Sequence, residues 1–243
     1  MAKRQRLDEA LVARGVFATR SKAQAAIMAG QVFVDGKKAD KAGMSTKEDA
    51  SFELLAPMPY VSRGGLKLDA ALGAFPVQVE GRVAVDLGSS TGGFTDCLLQ
   101  RGAAKVYAID VGTAQLDAKL KADPRVVSRE QLHAKYLKPD QFDPRPDLAV
   151  VDVSFISATQ VLPPLVPCLA KPCELLVLVK PQFEVGPKLA PKGVVKDPAA
   201  RALAVEKVRA ALPALGLTEA GLIDCPVHGP KGNVELFLYL RST

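Results

Sequence analysis

The chain has 243 residues, 48% of them hydrophobic and 24% charged, which allows a core domain of ordinary size with a small appendage. Its four cysteines, Cys97, Cys168, Cys173 and Cys225, form no C-x-x-C pair and have no histidine at zinc-ligand spacing. Metal centres and disulfide scaffolds are thereby excluded, and reduced thiols in a cytoplasmic protein are expected.

The start, MAKRQRLDEAL, is charged where a secretory leader needs an apolar stretch. Apolar runs such as 175–179 are too short to span a bilayer, and the run 161–170 is interrupted by Pro163, Pro164 and Pro167. No membrane association is expected. The net charge of +6 sits in residues 1–47, which hold ten Lys/Arg against four acids (10 − 4 = +6), leaving 22 − 22 = 0 for residues 48–243. A basic head on a neutral body suits a binder of polyanions, because each phosphate contact needs a nearby cation.

In chain order, residues 7–15 read as a short amphipathic helix closed by Gly15. Thr19 or Ser21 can cap a second helix over 22–29, and 32–34 is a β-like run turned by Asp35-Gly36. Arg4, Arg6, Arg14, Arg20, Lys22, Lys37 and Lys38 give this module its charge, and Arg63 adds a cation further on. The string RLDEALVARGVFATRSKAQAAIMAGQVFVDG resembles the RNA-binding domain named after small-subunit ribosomal protein four. The resemblance implies a small α+β domain over residues 1–50 that binds structured RNA. Residues 51–61, with Pro57 and Pro59, read as a linker to a second domain over 62–243.

From residue 82 apolar strands alternate with helices, the pattern of a mainly parallel α/β sheet. Strands are expected at 82–87, 106–110, 148–153, 175–179 and 234–240, with helices from 94 to about 102 and over 199–212. The turn Asp86-Leu87-Gly88-Ser89-Ser90-Thr91-Gly92-Gly93-Phe94 joins the first strand to its helix. Glycines there let a ligand approach the backbone, and the helix start offers free N–H groups. The spacing is not G-x-G-x-x-G, and Asp86 would repel a pyrophosphate but suits the ammonium and sulfonium charges of S-adenosylmethionine. Asp110 lies 24 residues beyond Asp86, near the spacing at which an acid reaches ribose hydroxyls.

A ribose hydroxyl is a poor nucleophile whose proton must be removed or held as the new bond forms. Lysines at strand ends with acids beside them suit that task. Lys180 ends the run ELLVLVK, Asp152 ends DLAVVD, Glu235 lies in NVELFLYL and Lys67 in SRGGLKL. The order Lys67, Asp152, Lys180, Glu235 around the glycine turn resembles the K-D-K-E tetrad of FtsJ-like 2′-O-methyltransferases. YVSRGGLKL, DLGSSTGGFTD, VVDVSFIS, LVKPQFE, KGVVKD and GPKGNVE are similar to the TlyA family of ribosomal RNA methyltransferases.

The resemblance implies a Rossmann-like α/β sheet, mostly parallel with an antiparallel closing strand, and S-adenosylmethionine as methyl donor. It also implies cytidine 2′-O-methylation of ribosomal RNA, free or in subunits, with Lys180 central. Lys67 and Asp152 would tune it, and Glu235 would hold the acceptor ribose. One departure stands out: the family commonly reads E-R-T-N-x-R where this chain has Glu130-Gln131-Leu132-His133-Ala134-Lys135, a segment expected to border the adenine pocket. Both His133 and His228 read as loop residues. The Gly- and Pro-rich segment 183–197 reads as a lid or an RNA contact. A monomer is expected to suffice. Two rivals follow from the same residues: a membrane-active protein, since the family also carries the label haemolysin, and a non-catalytic RNA-binding assembly factor.

Overall fold

The computed structural model describes residues 4–28, 30–55 and 58–242; Lys3, Ala29 and Pro57, invoked in the sequence reading, lie outside them. The chain divides into two compact units, Met1–Met58 and Pro59–Thr243.

In the first unit, β1 (Arg4–Arg6) leads into α1 (Leu7–Ala13), followed by α2 (Arg20–Met28), β2 (Val32–Val34), β3 (Lys37–Lys38), β4 (Ser45–Lys47) and β5 (Phe52–Leu54). β2 runs antiparallel between β3 and β5, and β1 pairs with β4. Leu7, Leu11, Ala23, Ile27 and Val32 fill its core. Thr19 starts α2, its hydroxyl accepting from Lys22 N. Asp35 and Gly36 both adopt positive φ, 50° and 74°, the geometry that lets a two-residue hairpin match strand twist. β5 occupies part of the expected linker, because Phe52 pairs with Val34 and joins the core.

The second unit contains α3 (Arg63–Ala74), β6 (Val83–Leu87), α4 (Gly93–Gln100), β7 (Lys105–Ile109), α5 (Ala118–Lys121), β8 (Val126–Arg129), β9 (Leu148–Val151), α6 (Ala158–Leu165), β10 (Glu174–Val179), α7 (Pro181–Glu184), α8 (Pro198–Ala211), β11 (Leu217–Asp224) and β12 (Leu236–Ser242). Its seven strands take the order β11-β12-β10-β9-β6-β7-β8. The five strands from β10 to β8 are parallel, and β12 runs antiparallel to both β10 and β11. This is the mostly parallel sheet with an antiparallel closing strand that the motifs implied. Two apolar clusters cover its faces, so central strands such as β10 are buried on both sides and read as continuous hydrophobic runs. Because β6, β9 and β10 are parallel neighbours, the residues at their carboxyl ends are brought to one edge of the sheet.

Several elements escaped the sequence reading, among them the one-turn helices α5 and α7. β8 is a short edge strand, and β11 alternates exposed and partly covered residues without alternating in polarity. α6 forms despite Pro163 and Pro164, which stand near its C-terminal end and lead into a 3₁₀ turn. α3 precedes the α/β alternation and carries three glycines.

Candidate active site

Leu87 delivers the chain from β6 into the glycine turn. Gly88 has φ 89°, and a Cβ there would stand 2.5 Å from the carbonyl oxygen of Asp152, so only glycine lets the ends of β6 and β9 pass. Ser90 and Gly92 also adopt positive φ, 47° and 97°. Ser89 is buried and its carbonyl accepts from Gly92 N; Thr91 is exposed and its carbonyl accepts from Asp117 N. Gly93 opens α4 against Ser62 Oγ and Gly65 N, where a side chain would clash. Phe94 is buried beneath, its ring 6.1 Å from that of Phe237.

Two clefts open beside this turn. The larger, about 700 Å³, is lined by Leu87, Ile109, Asp110, Leu132 and Ile156 among others. The smaller, about 350 Å³, is lined by the turn together with Ser62, Arg63, Lys67, Asp152, Lys180 and His228. Gly88, Ser90 and Asp152 belong to both walls. The larger cleft has the size and mixed lining of a small-molecule site.

The three acids expected at the cofactor occupy distinct positions. Asp110 lines the larger cleft, and its two carboxylate oxygens accept from Ser90 N at 2.8 Å and Gly112 N at 2.7 Å. Asp86 is wholly buried beneath the turn and lines neither cleft. Thr95 Oγ1 donates to its Oδ2 at 2.7 Å, while Oδ1 has no partner among the described residues. Burial pushes this carboxyl up to about 7. Glu130 lines neither cleft: it accepts from the backbone N–H groups of Ala114, Gln115 and Leu116, with Lys121 Nζ 3.0 Å away. Those bonds, led by Leu116 N–H, hold it down to about 2. Glu130 therefore shapes the 112–116 loop, and Leu132, His133 and Ala134 supply that part of the wall. His133 is half-buried and accepts from Lys135 N through Nδ1, a cap rather than a free loop side chain.

The four residues of the tetrad come from different elements and pair off. Lys180 follows β10, and its Nζ lies 2.6 Å from Asp152 Oδ1 and donates to Ser154 Oγ at 2.9 Å. Lys67, on α3, lies 2.5 Å from Glu235 Oε2, just before β12. Both lysine side chains are about nine-tenths buried. Glu235 is wholly buried, and its Oε1 has no partner among the described residues. Gly229 makes room for it, since a Cβ would stand 2.2 Å from that oxygen.

Several contributors were given no role by the sequence, although Ser154, Phe155 and Glu184 lie within the family-like strings VVDVSFIS and LVKPQFE. Ser154 is an ordinary loop serine until the fold brings Lys180 to it. Phe155 is 91% exposed at φ 65°, with its ring 5.2 Å from Phe183. His228, read as a loop residue, lines the smaller cleft. Glu184 is buried and accepts from Ser157 Oγ and Ala158 N, tying the turn after Lys180 to the start of α6.

In the first unit, three expected RNA-binding arginines are engaged in its own fold. Arg6 and Arg20 hold the buried Asp8 at 3.1 and 2.8 Å, keeping its carboxyl well below the usual carboxylate range. Arg14 donates to the carbonyls of Ala50 and Glu48 and lies over the Phe52 ring. Arg4, Lys22, Lys37 and Lys38 are exposed, as is Arg63 in the second unit.

Residues 60–242 match the FtsJ-like methyltransferase family, and residues 5–49 match the S4 domain. The chain is 45% identical over 245 residues to the 16S/23S rRNA (cytidine-2′-O)-methyltransferase TlyA of Mycobacterium tuberculosis, covering all of this chain and 91% of that one. It is 41% identical over 232 residues to Hemolysin A of Brachyspira hyodysenteriae, covering 95% and 97%. A solved structure described as a putative hemolysin from Streptococcus thermophilus superposes with a TM-score of 0.77 at 40% identity, covering all of this chain and 90% of that one.

Proposed function

The chain belongs to the FtsJ-like methyltransferase family, and from its site we propose that it moves a methyl group from S-adenosylmethionine to a ribose 2′-hydroxyl of ribosomal RNA, at cytidine. The observation that carries the acceptor assignment is the buried Lys180–Asp152 pair standing in a cleft that shares Gly88 and Ser90 with a larger one.

The larger cleft fits the cofactor. Glycine at 88 removes a side chain that would fill the turn, Asp110 borders the space, and Leu87, Ile109, Leu132 and Ile156 give apolar walls for an adenosine. S-adenosylmethionine supplies, when bound, an electrophilic methyl on a sulfonium. Everything else falls to the chain. Asp152, on the shared wall, and Ser154 fix the Lys180 amine in the smaller cleft. In its neutral form that amine accepts the hydroxyl proton as the hydroxyl oxygen attacks in line, and Asp152 stabilises the resulting ammonium. The buried Glu235 holds Lys67 through one oxygen, and Lys67, which lines the smaller cleft, is the member of this pair that can meet the acceptor ribose. Positioning the acceptor hydroxyl accounts for much of the rate, because transfer from a sulfonium would leave the chain no oxyanion to stabilise. Both clefts are formed by one unit of one chain, so a monomer suffices. A protein acting on ribosomal RNA works in the cytoplasm.

The test is the product. Labelled methyl transferred to ribosomal RNA should appear in alkali-resistant dinucleotides, which only 2′-O-methylation produces. Label released in ordinary mononucleotides would place the methyl on a base and overturn the reading.

A further inference from the structure

The sequence contains the tripeptide Pro-Lys-Gly twice, at 191–193 and 230–232. Both form a single 3₁₀ turn of the same shape: Lys192 stands at φ 56°, ψ 21° and Lys231 at φ 58°, ψ 18°, followed by Gly193 and Gly232 at φ 77° and 79°. The turns are fastened together. Lys231 Nζ donates to the Lys192 carbonyl at 3.0 Å, and Asn233 Nδ2 donates to the Gly193 carbonyl at 2.9 Å. The same Asn233 accepts from Val195 N at 3.0 Å. Ala190, Val195 and Ala200 form a small apolar cluster of their own behind the first turn. The segment expected as a lid or an RNA contact is thus a built platform.

Its charge is one-sided. Residues 186–196 and 226–234 contain Lys188, Lys192, Lys196 and Lys231 and no acid. All four are exposed, and no ion pair engages them among the described residues. The second unit holds 22 Lys/Arg and 19 Asp/Glu, 22 − 19 = +3, so without these four it would be 18 − 19 = −1. The first unit, with Glu48, Asp49 and Glu53 counted, has 10 − 7 = +3, so the head does not monopolise the positive charge. The platform also borders the acceptor. Val227, His228 and Gly229 line the smaller cleft, Gly229 abuts Glu235, and Lys231 follows two residues later. Exposed lysines on and beside two fastened turns, with the exposed Asp197 as neighbouring acid, next to a nucleotide-sized cleft match the repeating phosphates of the strand that carries the acceptor, since each contact releases a counterion.

We propose that the paired Pro-Lys-Gly turns form a second RNA-binding surface, in the catalytic unit itself, which grips the phosphate backbone flanking the acceptor nucleotide. The proposal rests on the RNA methyltransferase reading above. The test uses the full chain with Lys188→Gln, Lys192→Asn, Lys196→Gln and Lys231→Asn combined, asparagine being chosen because it tolerates positive φ. Lys138→Gln with Lys171→Gln, exposed positions elsewhere in the unit, is the control. Binding to protein-free ribosomal RNA is measured across a salt series, alongside S-adenosylmethionine affinity and turnover.

The expected result is at least about a tenfold loss of RNA affinity near physiological salt and a salt slope shallower by about three, at ~0.7–0.9 per lost contact. Cofactor affinity and kcat at saturating RNA should stay within about threefold, because the loss falls on binding rather than on positioning. RNA affinity and slope equal to wild type, or changed no more than in the control, would overturn the proposal. Loss of cofactor affinity together with RNA affinity would also overturn it, since the lysines would then be supporting the fold. If the wild-type chain itself neither bound nor methylated ribosomal RNA, the functional reading would fail instead.

Discussion

Phe155 is a large apolar side chain left in water, held at positive φ, one residue from the serine that anchors Lys180. A bulky residue in that conformation costs about 1–3 kcal/mol and persists only where its surroundings impose it. With Phe183 beside it, the exposed ring offers a face for the base of the acceptor nucleotide, whose stacking contributes about 1–3 kcal/mol. Phe155→Ala should therefore raise KM for RNA about tenfold or more with smaller loss in kcat, and an unchanged KM would dissociate the ring from RNA. Asp86 argues differently. Its raised carboxyl binds a proton in the folded state, so its contribution to stability is full below the ordinary carboxylate range and is lost as pH climbs through about 7. Asp86→Asn keeps an acceptor for Thr95 and removes the charge. Wild type should lose thermal stability between about pH 5 and about pH 8, and the variant should lose less; parallel curves would contradict this. The sequence marked Asp86 as chemically important, but spacing along a strand does not tell which face the side chain takes.

At the scale of elements, the site is assembled where β6, β9 and β10 end together, and those strands were legible because burial on both faces makes them continuous apolar runs. Of the elements that escaped, β8, β11, α3 and α6 lie at an edge, are half-exposed, or carry residues that weaken a local pattern. The same limit applies within the site. Lys67, Asp152, Lys180 and Glu235 were visible through motifs, whereas Ser154, Gly229 and Glu184 act through contacts made only after folding. Gly229 offers a sharp test. Alanine there places a methyl 2.2 Å from Glu235 Oε1, so the carboxylate or the loop must shift. Displacement on the order of 1 Å can cost about 100-fold in turnover. Gly229→Ala should lower kcat by about that factor while cofactor affinity stays within about twofold; wild-type kcat would show that Glu235 need not stand where it does.

Over the whole molecule, the simple picture of a basic head on a neutral body changes once the units are counted. The acids at 48, 49 and 53 belong to the first unit, and Arg6, Arg14 and Arg20 are engaged in its interior bonds. Among the described residues its exposed cations outside ion pairs are Arg4, Lys22, Lys37, Lys38, Lys41 and Lys47. Lys22→Gln combined with Lys37→Gln and Lys38→Gln should weaken RNA binding and flatten its salt dependence with little change in thermal midpoint. Arg14→Gln should instead lower the midpoint, since it removes donors to the Ala50 and Glu48 carbonyls. A fall in midpoint for the first variant with RNA binding intact would reverse these assignments. The haemolysin reading meets a different kind of observation: no helix among the described residues is long and apolar enough to cross a membrane. The reading as a non-catalytic assembly factor leaves without a role the Lys180–Asp152 pair and Lys67, which line one cleft, and the buried Glu235 that holds Lys67.

The most direct measurement compares wild type with Lys180→Ala for transfer of labelled methyl from S-adenosylmethionine to ribosomal subunits and protein-free ribosomal RNA, with cofactor affinity measured beside it. Loss of the acceptor amine should reduce transfer by about 1,000-fold or more, at the upper end of what one acid–base group contributes together with its positioning role. Cofactor affinity should remain near wild type, and label on the wild-type product should resist alkali at the 2′-position. Substantial transfer by Lys180→Ala, with wild-type cofactor affinity, would contradict the account at its centre.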